Sequence, residues 1–398
     1  MAALNLLPSE IVTRICALLG DDLKVWSDKE RQTDLSRLAP TCKALYFATV
    51  PLLYGGTVSL RSAGRTFLLA RTLAEHADLR SLVHDLDLTA ANDNGHPPSV
   101  VALLDLLHNT LDTLVFRPIY LTAAGTPMLR AALLSCTSLR SFTYTSEPFG
   151  TSALVCLAPF LQHWPQLVEL TLRCVSVDVE SGLWHPPPGV PRTFAECGPP
   201  PRYRLERLTL QGSSDPWTFD AMKWILGATE ALQDLTVHDW TAQFPAVDLL
   251  TQLVARGGGP ALEQLAVRDY HCVDPARSNR PSRETDRMQP EDLAAWFPNL
   301  THFTLQDDCS DDGRRRAFAS AQPPYFVPGP KLRVLSLYWP WDDEWELEKL
   351  LQAREADASV APALEVIRLV KARPSDPIVR LLGILAERAG VRVSVEWM

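Results

Sequence analysis

The chain has 398 residues, 46% of them apolar and 21% charged, with a formal net charge of −9. Such a length exceeds one compact core of ordinary depth and predicts either several domains or an elongated repeat array. The acidic balance excludes a broad electrostatic footprint for nucleic acid or an anionic membrane surface, and the apolar content excludes wholesale disorder.

The start, Met1-Ala2-Ala3-Leu4-Asn5-Leu6-Leu7, lacks the basic region of a secretory signal and runs straight into Pro8-Ser9-Glu10. No apolar run approaches the length of a membrane span, so a cytosolic or nuclear protein is expected. Leu7-Pro8-Ser9-Glu10-Ile11-Val12 opens a predicted helix that sets Ile11, Val12, Ile15, Leu18 and Leu19 on one face. That face requires a partner. A second apolar cluster, Leu35, Leu38, Cys42, Leu45 and Tyr46, follows, and Pro40 and Pro51 are expected to kink or end helices there.

From residue 83 onward one pattern dominates. L-x-x-L-x-L, with conservative swaps, recurs ten times, starting at Val83, Leu111, Leu139, Leu167, Leu205, Leu232, Leu262, Leu300, Leu332 and Leu364. Successive copies start 27 to 38 residues apart, and the first three intervals are each 28. The closing L-x-L of each copy alternates apolar and polar, as a short strand with one face in the core does. Between copies, residues 100–107, 127–134, 154–164, 219–226, 247–254, 290–297, 347–351 and 378–385 carry apolar side chains at helical spacing. Pro127, Pro290 and Pro377 sit where a first-turn proline is tolerated. Val391-Arg392-Val393-Ser394-Val395-Glu396-Trp397 alternates like one further strand. A strand followed by a helix at a near-constant period implies parallel strands, each helix returning the chain to the same edge. The longer intervals place loops rich in Pro, Gly, Arg and Asp at 181–204, 271–289 and 306–330, either functional or merely tolerated.

These repeats resemble the long, helix-containing class of leucine-rich repeats, similar to the ribonuclease-inhibitor type. The expected fold is therefore α/β, a leucine-rich-repeat solenoid with parallel strands inside and helices outside. The segment ahead of it resembles an F-box: Leu7-Pro8-x-Glu10-Ile11, then Leu35-x-x-Leu38, then Thr41-Cys42-Lys43-Ala44-Leu45. Val50-Pro51-Leu52-Leu53-Tyr54 is similar to the segment that follows the F-box in many fungal members of that family. The expected division is an all-α module at 1–56, a linking or capping segment at 57–80 and the repeats at 81–398.

What the F-box resemblance implies is a non-catalytic subunit of a cullin-RING ubiquitin ligase. It would bind a Skp-type adaptor through Leu7, Pro8, Ile11, Val12, Ile15, Leu35 and Leu38, while the repeats hold a protein substrate. The alternative is a leucine-rich-repeat interaction scaffold whose N-terminal helices only cover the open end of the array, and the two roles can coexist.

If the leucines point inward, alternation turns two rows outward, toward the expected concave surface. One row is Thr143, Thr171, Thr209, Thr236, Ala266, Thr304, Ser336 and Arg368, a hydroxyl ladder that suits parallel strands. The next varies in charge and size and supplies the candidate substrate contacts Arg173, Gln211, His238, Arg268, Gln306 and Tyr338. Trp339, Trp341 and Trp345 among Asp342, Asp343, Glu344 and Glu346 form either an interface patch or rings packed on a neighbouring helix. The eight cysteines are scattered without metal-ligand spacing, and Cys136 and Cys156 fall in apolar helical runs as small buried hydrophobes. No nucleophile-elbow, metalloprotease, P-loop or dinucleotide motif is present, so no cofactor, metal or catalytic residue is expected.

Overall fold

The computed structural model describes residues 11, 14, 36–37, 43–60, 62–88, 97–116, 126–145, 154–173, 196–199, 201, 204–211, 224–228, 230–238, 241–242, 253–255, 257–267, 271–272, 296–305, 329–338, 344–370, 372 and 374–396. The chain is α/β, with two compact units, Met1–Ser152 with Pro159–Leu167, and Ala153–Ala158 with Val168–Met398.

The first unit carries four strands, β1 (Val58–Ser59), β2 (Asp85–Asp87), β3 (Thr113–Phe116) and β4 (Ser141–Thr145), paired in parallel in that order. Its helices are α1 (Lys43–Tyr54), α2 (Ala63–Glu75), α3 (Ala77–Arg80), α4 (Pro97–Leu107) and α5 (Thr126–Ser135). The hydroxyl of Ser62 accepts the Arg65 N–H and caps α2, whose buried Thr66, Leu69, Ala70 and Leu73 recur every three to four residues along one stripe. That helix packs on α4, and α4 on α5. Helix α1 continues through Pro51 to Tyr54 instead of ending at the proline. Only one helical hydrogen bond is lost there, and Leu45, Ala48, Thr49 and Val50 are all buried, which holds the helix together across the gap. Helix α6 (Leu154–His163) has residues in both units.

The second unit carries eight parallel strands in one order, β5 (Glu169–Arg173), β6 (Arg207–Gln211), β7 (Asp234–His238), β9 (Gln264–Val267), β11 (His302–Leu305), β12 (Val334–Tyr338), β13 (Val366–Val370) and β14 (Arg392–Glu396). Helices α7 (Glu344–Ala356) and α8 (Pro377–Arg388) pack together. A separate parallel pair, β8 (Thr241–Ala242) with β10 (His271–Cys272), lies apart from this order. Residues 271–272 are therefore strand where sequence patterning gave the start of a loop. Two residues are too few for an alternation to register.

The periodic leucines form the core. Those that open each copy, from Val83 and Leu111 to Leu332 and Leu364, are at most 5% exposed, and the closing apolar positions that the structure describes are at most 6% exposed, Leu170, Leu208, Leu235 and Leu335 among them. Each such side chain contributes about 1.5–3 kcal/mol by leaving water. The backbone repeats with the same regularity. The carbonyl of Val168 accepts the N–H groups of both Glu206 and Arg207, and that of Glu206 accepts Gln233 and Asp234. The same two-donor arrangement recurs at Gln233, Glu263, Thr301 and Arg333 in the second unit, and at His84 and Asp112 in the first. Each copy thus enters its strand against the copy before it, and a shift by one residue would turn the leucines to water.

Two glycines permit close turns. Gly390 adopts φ +69° after α8, where the Val391 N–H bonds to the Ala386 carbonyl and delivers the chain into β14. A Cβ on Gly259 would collide with the carbonyl of Trp296 from the following copy.

Candidate functional site

Strands β5 to β14 present the positions that alternate with the buried leucines. In β5 and β6 the outward residues are half-buried or exposed while Leu170, Leu172, Leu208 and Leu210 are covered. The pairing puts Thr171, Thr209, Thr236, Ala266, Thr304, Ser336, Arg368 and Ser394 in one register, which is the hydroxyl row expected from the sequence.

The proposed contact row starts as read. Arg173 stands exposed at the end of β5 in register with Gln211, and Gln211 in register with His238 of β7. Tyr338 ends β12 opposite Val370 of β13, and Val370 is only 4% exposed, so the row does not stay open at that strand. Arg268 and Gln306 lie outside the described residues. Of the adaptor-contact set, Ile11 is helical and 45% exposed, while Leu7, Pro8, Val12, Ile15, Leu35 and Leu38 lie outside the described residues. In α1, Tyr46 and Phe47 are exposed, the latter at 72%, with ring centroids 5.6 Å apart edge to face.

A third outward row was missed by the sequence reading. Glu169, Arg207, Asp234, Gln264, His302, Val334, Val366 and Arg392 pair in register at the first position of their strands. All but Arg392, which opens the final strand, occupy the second x of L-x-x-L. The strands begin one residue earlier than the closing L-x-L suggests, so that position alternates with the inward leucines, although Val366 is only 8% exposed, and its mix of charges was the available signal.

Charges interact along this row and beside it. Arg207 pairs with Glu169 on one side, and its charge also acts on Asp234 on the other. Burial raises the Asp234 carboxyl above its ordinary value, against the lowering effects of the Thr236 hydroxyl 3.4 Å away and of the Arg207 and His302 charges. Two strands along, His302 is pushed below its ordinary value, first by burial and then by Arg333 and Arg368, with Asp234 opposing. The Thr301 hydroxyl lies 3.0 Å from the Glu263 carbonyl and 2.9 Å from His302 Nδ1, so it stands between the two. Beyond it, Arg333 grips Glu365 through Nε and Nη2, both at 2.9 Å, and Arg368 pairs with Glu396 at 3.2 Å. The first unit's corresponding face is hydroxyl-rich and acidic, with Ser59 donating to Asp87 at 3.2 Å.

A ladder-like face of mixed charge, with Glu169, Arg207 and Asp234 side by side on successive strands, suits contact with an extended surface more than with a small molecule. Among the described residues no three His, Cys, Asp or Glu side chains gather as a metal site, and no helix is long and apolar enough to cross a membrane. No family model matches the chain, and comparison with curated proteins also found no match.

Proposed function

We infer that the chain is the substrate-recognition subunit of a cullin-RING ubiquitin ligase, a leucine-rich-repeat solenoid whose outward strand face binds a protein and whose F-box-like N-terminus docks a Skp-type adaptor. The observation that carries the recognition half is the division of labour along the strands. Inward positions are uniformly apolar, whereas the outward row from Glu169 to His302 changes charge at almost every strand. A row that served packing alone would not need Glu, Arg, Asp, Gln and His in succession.

The docking half is supported by Leu7-Pro8-x-Glu10-Ile11 and the Leu35-x-x-Leu38 stretch, and by the exposed Tyr46 and Phe47 in the helix that follows them. Tyr and Phe are both enriched in the cores of protein interfaces. In this reading the chain is non-catalytic, and ubiquitin transfer belongs to the partners.

Co-purification of the full chain with a Skp-type adaptor tests the assignment. Binding that is lost in the Ile11→Asp, Ile15→Asp double variant supports it. Adaptor binding that is never detected would leave the solenoid as a free interaction scaffold with an N-terminal cap.

A further inference from the structure

Strand β14 is bonded to β13 along one edge, and among the described residues no strand pairs with its other edge. The Arg392 N–H points to β13, where it meets the Glu365 carbonyl. Alternation then directs the N–H and C=O groups of Val393 and Val395 to the open side. The same two valines mark the unfinished end of the core. The inward side chains beside them, Ile367 and Leu369, are fully covered, but Val393 and Val395 remain half-buried. Above them, α8 buries Val379, Leu382, Leu385 and Ala386 and leaves Leu381 and Ile384 exposed at 45% and 51%.

The order of residues in this edge strand is Arg392-Val393-Ser394-Val395-Glu396, a sequence whose charges complement themselves when reversed. We propose that β14 is a self-association edge, and that two copies of this chain join by antiparallel pairing of their β14 strands about a two-fold axis at Ser394. In that register Arg392 faces the partner's Glu396 and Glu396 faces the partner's Arg392. Val393 stands opposite the partner's Val395, and both of these residues aim their backbone groups across the junction, so the pair exchanges two N–H to carbonyl bonds and its symmetry mate two more. The Ser394 residues and the charged pairs occupy the non-bonded sites of the ladder, where facing side chains approach most closely.

The charges agree with the backbone, because the register that pairs opposite charges is the register that pairs the free N–H and C=O groups. Glu396 keeps its contact with Arg368, since a carboxylate has acceptor capacity for both guanidinium groups. The axis is perpendicular to the sheet, so both recognition faces look the same way and the α8 helices share the opposite side. An isologous contact of this kind closes at two copies and ends the exposed edge.

Sedimentation equilibrium on the 398-residue chain at concentrations up to roughly 100 µM tests this. The wild-type chain is expected to dimerise. Arg392→Glu places like charges at two symmetric sites and weakens the dimer by about tenfold or more, while leaving the Arg368–Glu396 pair intact. Arg392→Glu combined with Glu396→Arg restores complementarity and restores the dimer, and an equimolar mixture of the two single variants forms the mixed pair. Val395→Pro removes an N–H from the open side only and abolishes dimerisation without disturbing the β13 ladder. A chain that stays monomeric throughout, a dimer indifferent to Val395→Pro, or a charge-swapped double variant no better than Arg392→Glu would each overturn the proposal.

Discussion

The indole N–H of Trp164 donates to the carbonyl of Leu133, 3.1 Å away and 31 residues earlier in the chain. The ring is 1% exposed and packs within 4.7 Å of the Phe142 ring and 6.0 Å of the Phe160 ring, so it locks one copy of the repeat against the helix of the copy before. Trp164→Ala is expected to lower the opening free energy of β4 by about 3–5 kcal/mol, read from hydrogen exchange of its amides. Trp164→Phe costs less, about 1–2 kcal/mol, because the Leu133 carbonyl also accepts the Cys136 N–H at 3.2 Å and is not left without a donor.

Cys136 lies fully buried beside that contact. Burial, with a smaller contribution from Asp105 and against the Ser135 hydrogen bond, pushes its thiol up to about 12, and burial with Glu196 pushes Cys197 up to about 11. Only the thiolate alkylates. In the native chain at pH 8 both residues should therefore resist iodoacetamide under conditions that label an unfolded control completely, as counted by peptide mass spectrometry. Rapid native labelling of Cys136 would refute the close packing described around it.

The architecture was legible because the period is long and each copy repeats the same three apolar positions. A strand needs only Leu167, Leu170 and Leu172 to declare its inward face, and the following strands declare theirs in the same way. Helix positions were legible for a similar reason: residues 100–107 and 378–385 fall inside Pro97–Leu107 and Pro377–Arg388. Local pattern and structure part where a single residue decides. Whether Glu169 belongs to the strand depends on one ladder hydrogen bond, which leaves no periodic trace, and so the charged row was overlooked. Of the two outcomes expected at Pro51, a kink or an end, the helix does not end there, because propensity carries no information on how much tertiary burial holds α1 together. Val370 fits the outward alternation and is nevertheless covered, which depends on neighbouring strands that no local pattern describes.

Gly259 separates two copies by the width of a missing methyl. Gly259→Ala would force the new Cβ against the Trp296 carbonyl and leave it tight against the Val254 side chain. Backbone cannot yield as a side-chain tip can, and a loss of about 1–3 kcal/mol in local stability of β9 and β11 is expected by hydrogen exchange. Gly64→Ala, whose Cβ would meet nothing within 4 Å, serves as the control and should be neutral or slightly stabilising.

His302 and Asp234 give the outward charged row opposite responses to pH. The folded His302 sits below its ordinary value of 6.5, so above that value it makes no difference. As pH falls through 6.5 the unfolded chain takes up a proton that the folded chain refuses, and stability declines until the lowered folded value is passed. Asp234 is raised above its ordinary 3.8, so it contributes nothing below 3.8 and costs stability as pH rises from there through its folded value. Urea midpoints measured from pH 3 to pH 8 should therefore show His302→Gln removing part of the loss below pH 6.5 with no change at pH 8. Asp234→Asn should raise the midpoint at neutral pH and leave it unchanged at pH 3. Both residues are partly solvated, so the displacements are small, and their opposite pH windows identify them. A His302→Gln profile parallel to the wild type across the whole range would show that neither burial nor Arg333 and Arg368 lower the imidazole in solution.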